Sequence, residues 1–376
     1  MSGPVRVTFF INSLEQGGAE RQLAELIKGL DRARFTPSLI VCSPVNQLGD
    51  ALPVESTRSL DDALFPTPWG LARLASALRE QRPDIVHASK GLENVFGRLV
   101  ARGVGVPHVV GSVRCPKLTW RERAGESLTH RFGDVTVVNS VGIRRELVAI
   151  GVPESSVEVV ENGCDLVRFA PIDAAKRASV RAQYDVRGTL LVMPGRLSPE
   201  KNQRAVVRAL ASLRRRKSLP SGLRLVFAGR DSLLVYGRSV KALARALGLG
   251  DVVHFAGNVG RIEELVAASD GVLLPSHYEG LPNAVVEAMA CGVPAVVTPK
   301  ANADELVRDG VEGFVAKSPE SDDVATAIER LLSLDDTARR AMGRRGREHA
   351  EGRFALARMV RNTEAVYERL LAKRTG

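Results

Sequence analysis

The sequence predicts an α/β protein made of two similar halves, each a parallel sheet with helices on both faces. Three observations carry that reading. Short apolar runs alternate with amphipathic helical patterns along most of the chain. The alternation breaks once, shortly after residue 160, and then restarts. At 376 residues the chain is too long for one ordinary core, so two domains are expected.

The elements follow in order. Residues 5–11 read as a first strand, 19–30 as an amphipathic helix opened by Gly17-Gly18, and 36–42 as a strand. A helix over 71–80 precedes a strand at 84–88, and a helix over 92–102 precedes a strand at 109–113. Helix 119–132, strand 135–138, helix 141–150 and strand 157–160 close the set. Residues 161–165 (ENGCD) carry an Asn-Gly turn, and 170–176 contain Pro171 without any periodic pattern. That break places a first domain at 1–171 and a second at 172–353. The second runs strand 190–193, helix to about 215, strand 224–228, helix 237–247, strand 252–255, helix 262–268 and strand 272–274. From about 320 to 373 the pattern is almost wholly helical, and a last helix near 354–371 is expected to cross back to the first domain. Two such halves hold a ligand most naturally in the cleft between them.

Composition narrows the function classes. The 44% hydrophobic and 26% charged fractions are those of a globular protein, and no apolar run approaches the 18 residues of a membrane span. The N-terminus enters a strand without a signal-peptide cleavage pattern. Four widely spaced cysteines and six scattered histidines suggest neither a disulfide framework nor a metal site, which fits a reducing cytoplasm. The net charge of +10 lies mostly after residue 172, where 33 Lys and Arg face 24 Asp and Glu. With only 5% aromatics, base stacking is a poor explanation, so nucleic acid is not an expected partner. A solvated basic face is one reading. An anionic membrane surface, with the protein peripheral on its inner face, is the other.

The chemistry centres on 273–297 (LLPSHYEGLPNAVVEAMACGVPAVV), which reads as strand, polar loop, helix 283–290 and second apolar run. Glu279 lies in the loop at the strand's carboxyl end, and Glu287 just over one turn into the helix. The helix N-terminus between them is a seat for an anion, although both carboxylates are also compatible with plain solvated positions. In MPGRLSPEKN, Ser198 is a candidate N-cap and Pro199 a first helical residue. Lys201 then falls in the first helical turn, where a cation is unfavourable unless an anion binds. Arg196 could reach the same place. Gly17-Gly18 permits close approach to a phosphate or simply makes a tight turn. No Gly-x-Gly-x-x-Gly occurs, which disfavours a dinucleotide-binding first domain. His87 and Arg114 end strands; each is either a substrate contact or a satisfied structural residue.

Read in order, GGAERQL, ENGCDLVRF, GRLSPEKN, FAGN and EGLPNAVVEAMACGVPAV resemble the signatures of retaining GT-B glycosyltransferases of family 4, also called glycosyl transferases group 1. The resemblance spans nearly the whole chain. It implies two Rossmann-like domains facing across a cleft, with a nucleotide-sugar donor, in the surface-polysaccharide branch a UDP-sugar, held mainly by the C-terminal one. A glycan or lipid-linked acceptor would bind the N-terminal one. It implies transfer of a hexose or N-acetylhexosamine by front-face attack, with no metal and no cofactor: Arg196 and Lys201 would neutralise the diphosphate. By position, Glu279 would contact the donor sugar and Glu287 the ribose. Backbone N–H groups of Gly280, Leu281 and Asn283 would support sugar and phosphate, and the Val259 backbone would face the base. Gly17 and Gly18 would touch the donor phosphate. His87 and Arg114 would lie on the acceptor or sugar side, Arg114 standing near where relatives carry a histidine. Loops at 46–68 and 116–123 would set the acceptor. A nucleotide-sugar-binding protein without transfer activity, or a nucleotide-sugar epimerase on the same fold, are the alternatives.

Overall fold

The computed structural model describes residues 3–15, 17–43, 52–231 and 233–373. Part of the expected acceptor loop, 46–51, lies outside them. The chain divides into two compact units, Met1–Gly163 with Leu356–Gly376, and Cys164–Ala355.

The first unit runs β1 (Val5–Ile11), α1 (Gly18–Gly29), β2 (Phe35–Val41), β3 (Thr57–Ser59), α2 (Pro68–Gln81), β4 (Ile85–Ser89) and α3 (Gly91–Gly103). It continues with β5 (His108–Val113), α4 (Trp120–Thr129), β6 (Val135–Val138), α5 (Val141–Ala149) and β7 (Val157–Val159). The strands form one sheet in the order β3-β2-β1-β4-β5-β6-β7, every pair parallel. A sheet covered on both faces needs strands that are apolar throughout, and β1 (VRVTFFI) buries every residue except Arg6.

The second unit runs α6 (Ala174–Ala182), β8 (Leu190–Pro194), α7 (Gln203–Arg215), β9 (Arg224–Ala228), α8 (Leu234–Ala246), β10 (Val253–Gly257), α9 (Ile262–Ala267) and β11 (Gly271–Leu274). Then come α10 (Asn283–Ala290), β12 (Ala295–Val297), β13 (Gly313–Val315), α11 (Ser321–Leu332) and α12 (Asp336–Arg353). Its sheet is again wholly parallel, in the order β10-β9-β8-β11-β12-β13. Asp270 pins the entry to β11: its carboxylate accepts from the Leu190 amide (2.7 Å), Arg177 (2.5 Å) and Arg181 (3.0 Å). Burial alone would raise the Asp270 pKa, but the Leu190 amide and the two arginines hold it below the usual carboxylate range.

The last helix, α13 (Leu356–Ala372), belongs to the first unit. Glu364 accepts from the Asp31 amide at 2.8 Å, and Val360 packs so close to Gly29 that a Cβ there would collide with it. Val360, Val366, Tyr367 and Leu370 join the core formed by β1, β2 and α1.

The passage between units falls at Gly163–Cys164, earlier than the expected 171/172. Residues after Cys164 are stitched to the second unit by Arg347, which donates to the carbonyls of Leu166 (3.1 Å), Phe169 (2.7 Å) and Ala290 (2.5 Å). One arginine of the basic 339–347 stretch is therefore structural, and so is Arg339, which donates to the Leu334 carbonyl and pairs with Asp336. Among the described residues no helix is long and apolar enough to cross a membrane.

Candidate functional site

In the second unit, strand order reverses between β8 and β11: successive strands are added outward from β8 on one side and from β11 on the other. The loops leaving these neighbours run to opposite sides, so a crevice opens at their carboxyl ends. Lys201 follows β8 and Glu279 follows β11. Their side chains meet there, Lys201 Nζ lying 2.5 Å from Glu279 Oε1 with both largely buried.

The loop carrying Lys201 is closely specified. Gly195 leaves β8 with φ +130°, a conformation side chains rarely adopt, and the chain at Gly229 lies so close that a Cβ there would strike the Gly195 carbonyl oxygen. Residues Pro199–Lys201 form a separate 3-10 turn, with no capping bond from the Ser198 side chain. Asn202 ends the turn in the left-handed region (φ 62°, ψ 38°), and α7 begins only at Gln203. Lys201 is thus not in the first turn of α7, as the Ser-Pro pattern suggested. Arg196 stands half exposed, its guanidinium 3.4 Å from Glu200, and its carbonyl accepts from Gln203 Nε2 at 2.8 Å.

The Glu279 loop is equally fixed. The Glu279 amide donates to the Lys300 carbonyl (3.1 Å), and the His277 amide to that of Glu200 (2.8 Å). Gly280, Leu281 and Pro282 are buried and Asn283 half-buried. Pro282 stands at the N-cap of α10, where it has no side chain able to cap, and no acidic residue occupies the first turn. No acid of its own first turn therefore offsets the positive end of this helix. Glu287 is 7% exposed on the same helix. It acts on Arg168, whose charge burial disfavours but Glu263 and Glu287 more than restore. Val259 lies in the loop between β10 and α9, its side chain against the cluster that includes Val226 and Leu265. Behind α10, Gly343 of α12 meets the Gly292 carbonyl oxygen so closely that a Cβ would collide with it.

The first unit has a reversal of its own between β1 and β4. Gly17 is the N-cap of α1, and the Glu20 carboxylate folds back over it, paired with Lys90. Sequence reasoning passed over Glu20 and Lys90; the spacing of Gly17 to Glu20, N-cap to third helical position, was the available signal. Lys90 has φ +71° immediately before α3. His87 is buried, its Nδ1 2.7 Å from the Tyr367 hydroxyl under α13. Burial, then the nearby Arg114 charge, push the imidazole down to about 3, so it is neutral at physiological pH. Arg114 donates to Asn162 Oδ1 (2.8 Å) and Ser112 Oγ (3.1 Å), and burial lowers it to about 10 against the opposing influence of Tyr367. Both candidates are engaged inside their own unit, His87 with Tyr367 and Arg114 with Asn162 and Ser112. Among the described residues no group of three or more His, Cys, Asp or Glu side chains is placed to hold a metal ion.

Two parallel α/β sheets, each reversing strand order once, with a cation and a carboxylate meeting at one reversal, define a two-domain protein of GT-B type. The structure of Anabaena Alr3699/HepE in complex with UDP superposes with a TM-score of 0.83, covering 97% of this chain and 100% of that one at 23% identity, a likeness of fold. Residues 16–168 match the Glycosyltransferase Family 4 model, and residues 178–349 match the Glycosyl transferases group 1 model. The D-inositol 3-phosphate glycosyltransferase of Acidothermus cellulolyticus is 31% identical over 319 residues, 80% of this chain and 70% of that protein. The GDP-mannose-dependent alpha-(1-6)-phosphatidylinositol monomannoside mannosyltransferase of Mycobacterium tuberculosis is 32% identical over 336 residues, 85% and 80% respectively. The chain belongs to the family 4, group 1 glycosyltransferases.

Proposed function

We propose that the protein transfers a hexose or N-acetylhexosamine from a nucleotide sugar, a UDP-sugar in the first instance, to a glycan or lipid-linked acceptor. Configuration is retained, and no metal takes part. The observation that carries this reading is the Lys201–Glu279 pair at the β8/β11 reversal, beside an α10 N-terminus that no acidic side chain in its first turn fills. A donor diphosphate has the charge that Lys201, with Arg196 nearby in sequence, would neutralise, and the backbone of Gly280, Leu281 and Asn283 would hold it. Glu279 takes sugar hydroxyls, Glu287 the ribose, and the Val259 backbone the base. As the glycosidic bond lengthens, negative charge grows on the leaving phosphate. Lys201 and Arg196 stabilise it there, and the phosphate takes the proton of the attacking acceptor hydroxyl on the same face. The acceptor is assigned to the first unit.

A GDP-sugar donor is the second reading, favoured by the name of the mycobacterial relative. A thermal-shift panel of UDP, GDP, ADP and their sugars separates the two. One nucleotide should raise the melting temperature well above the others, and no response to any of them would overturn the proposal. With the responding donor, product analysis with and without acceptor tests transfer against epimerisation, and the anomeric configuration of the product tests retention. Flotation with anionic vesicles at low and high salt tests peripheral membrane binding, for which Arg340, Arg344 and Arg345 remain the exposed part of the basic stretch.

A further inference from the structure

We infer that Asn202 is the positioning residue of the site: its carboxamide fixes the Lys201 ammonium relative to the Glu279 loop. The inference rests on the proposed role of Lys201. Asn202 is 9% exposed, and its Nδ2 donates to two carbonyls from separate parts of the second unit. One is Pro275, directly after β11 and four residues before Glu279, at 3.2 Å. The other is Pro319, just ahead of α11, at 2.8 Å. Its backbone does two further things. Its amide closes the 3-10 turn onto the Pro199 carbonyl (3.1 Å), and its own carbonyl accepts from Ala205 in α7 (3.1 Å).

The geometry suits asparagine for identifiable reasons. The left-handed backbone is tolerated by glycine and, among side-chain-bearing residues, best by Asn and Asp. Two carbonyl oxygens as partners require a side chain with two N–H donors, which Asn has and Asp lacks. Glycine satisfies the first condition and not the second. Only asparagine meets both at this length.

The loops after β8 and β11 are joined by the Asn202 tie, by the His277–Glu200 backbone bond and by the Lys201–Glu279 ion pair. A diphosphate drawing on Lys201 loosens the ion pair, which leaves the other two to hold the ammonium in register. Misplacement of a transition-state group by about 1 Å costs on the order of 10²-fold in rate. Asn202 therefore acts on turnover more than on binding.

The test compares Asn202→Gly, Asn202→Asp and Lys201→Ala. Nucleoside diphosphate release from the responding donor gives kcat and KM; calorimetry with the free nucleoside diphosphate gives affinity. Both Asn202 variants should lose about tenfold or more in kcat with nucleotide affinity kept within about threefold, Asp losing more than Gly. Turnover within about twofold of wild type in both, while Lys201→Ala is inactive, would overturn the inference and leave the function standing. Parallel loss of affinity and kcat would also overturn it, showing general damage. An active Lys201→Ala would overturn the functional reading itself. Glycine keeps the left-handed backbone, so that variant keeps the test valid if the aspartate variant unfolds.

Discussion

The two strand-order reversals of this molecule share a topology and differ in what fills them. In the first unit, Glu20 folds back onto the start of its own helix with Lys90 over it, and the acid is buried while the base is half exposed. The positive end of α1 is satisfied from within. In the second unit the polarity is exchanged and the pair is more evenly covered, Lys201 being 20% exposed and Glu279 15%, while α10 has a proline at its N-cap and no acid in its first turn. A parallel sheet generates a crevice wherever its order reverses, and the two crevices differ in the charges the chain places at the adjoining helix ends. At the Gly-Gly pair of the first unit, for which the sequence left both a phosphate contact and a tight turn open, the Glu20 carboxylate lies over Gly17.

The largest effect should separate the two lysines. Lys201→Ala is expected to lower turnover about 10²- to 10³-fold with melting little changed, whereas Lys90→Ala should stay within about tenfold of wild type. Equal losses in both, measured as nucleoside diphosphate release, would erase the distinction. Next comes the anchor of β11. Asp270→Ala strips a buried carboxylate from Arg177 and Arg181 and should cost about 3–5 kcal/mol in urea unfolding. Because the folded Asp270 is held below the ordinary carboxylate pKa, its contribution is fully present above the unfolded value of about 3.9 and is lost as pH falls through the folded value. Melting of the wild type should therefore drop more steeply on acidification over that range than melting of Asp270→Asn; parallel curves would contradict the assignment.

Gly343→Ala drives a Cβ into the Gly292 carbonyl and should destabilise the second unit by about 1–3 kcal/mol, with the α10 contacts moving first in hydrogen exchange. Smallest is the contrast of the two acids. Glu20→Gln should cost about 1 kcal/mol in stability and leave nucleotide affinity alone. Glu279→Gln should lower turnover yet bind free nucleoside diphosphate at least as tightly as wild type, its charge no longer competing for Lys201. Weaker binding in that variant, seen by calorimetry, would remove the competition argument.

The alternation of periods made most of the sheets legible, since buried parallel strands and amphipathic helices write themselves into apolar spacing; α10 over 283–290 is an example. Two of the elements left unread have little to bury, while a third, β13, is mostly buried but only three residues long. Thr57–Ser59 is a short edge strand that is mostly exposed, and α6 over Ala174–Ala182 buries only Val180, so neither leaves a period to see. Lys201 and Glu279 were readable as candidates, but their meeting across 78 residues follows from strand order, which no local pattern records. For His87 the sequence leaves substrate contact and a satisfied structural role both open, because its partner Tyr367 lies 280 residues away. Asn202 carried a faint local signal, an asparagine after a turn, but its two acceptors are contributed by distant loops.

The Tyr367–His87 bond has a further consequence for how the chain is assembled. The phenol, with Met359, Val360, Val366 and Leu370 of the same helix, seals a core whose other members are translated before the second unit exists. The half that leaves the ribosome first must therefore wait, with part of its apolar face uncovered, until the half made later has been spun out.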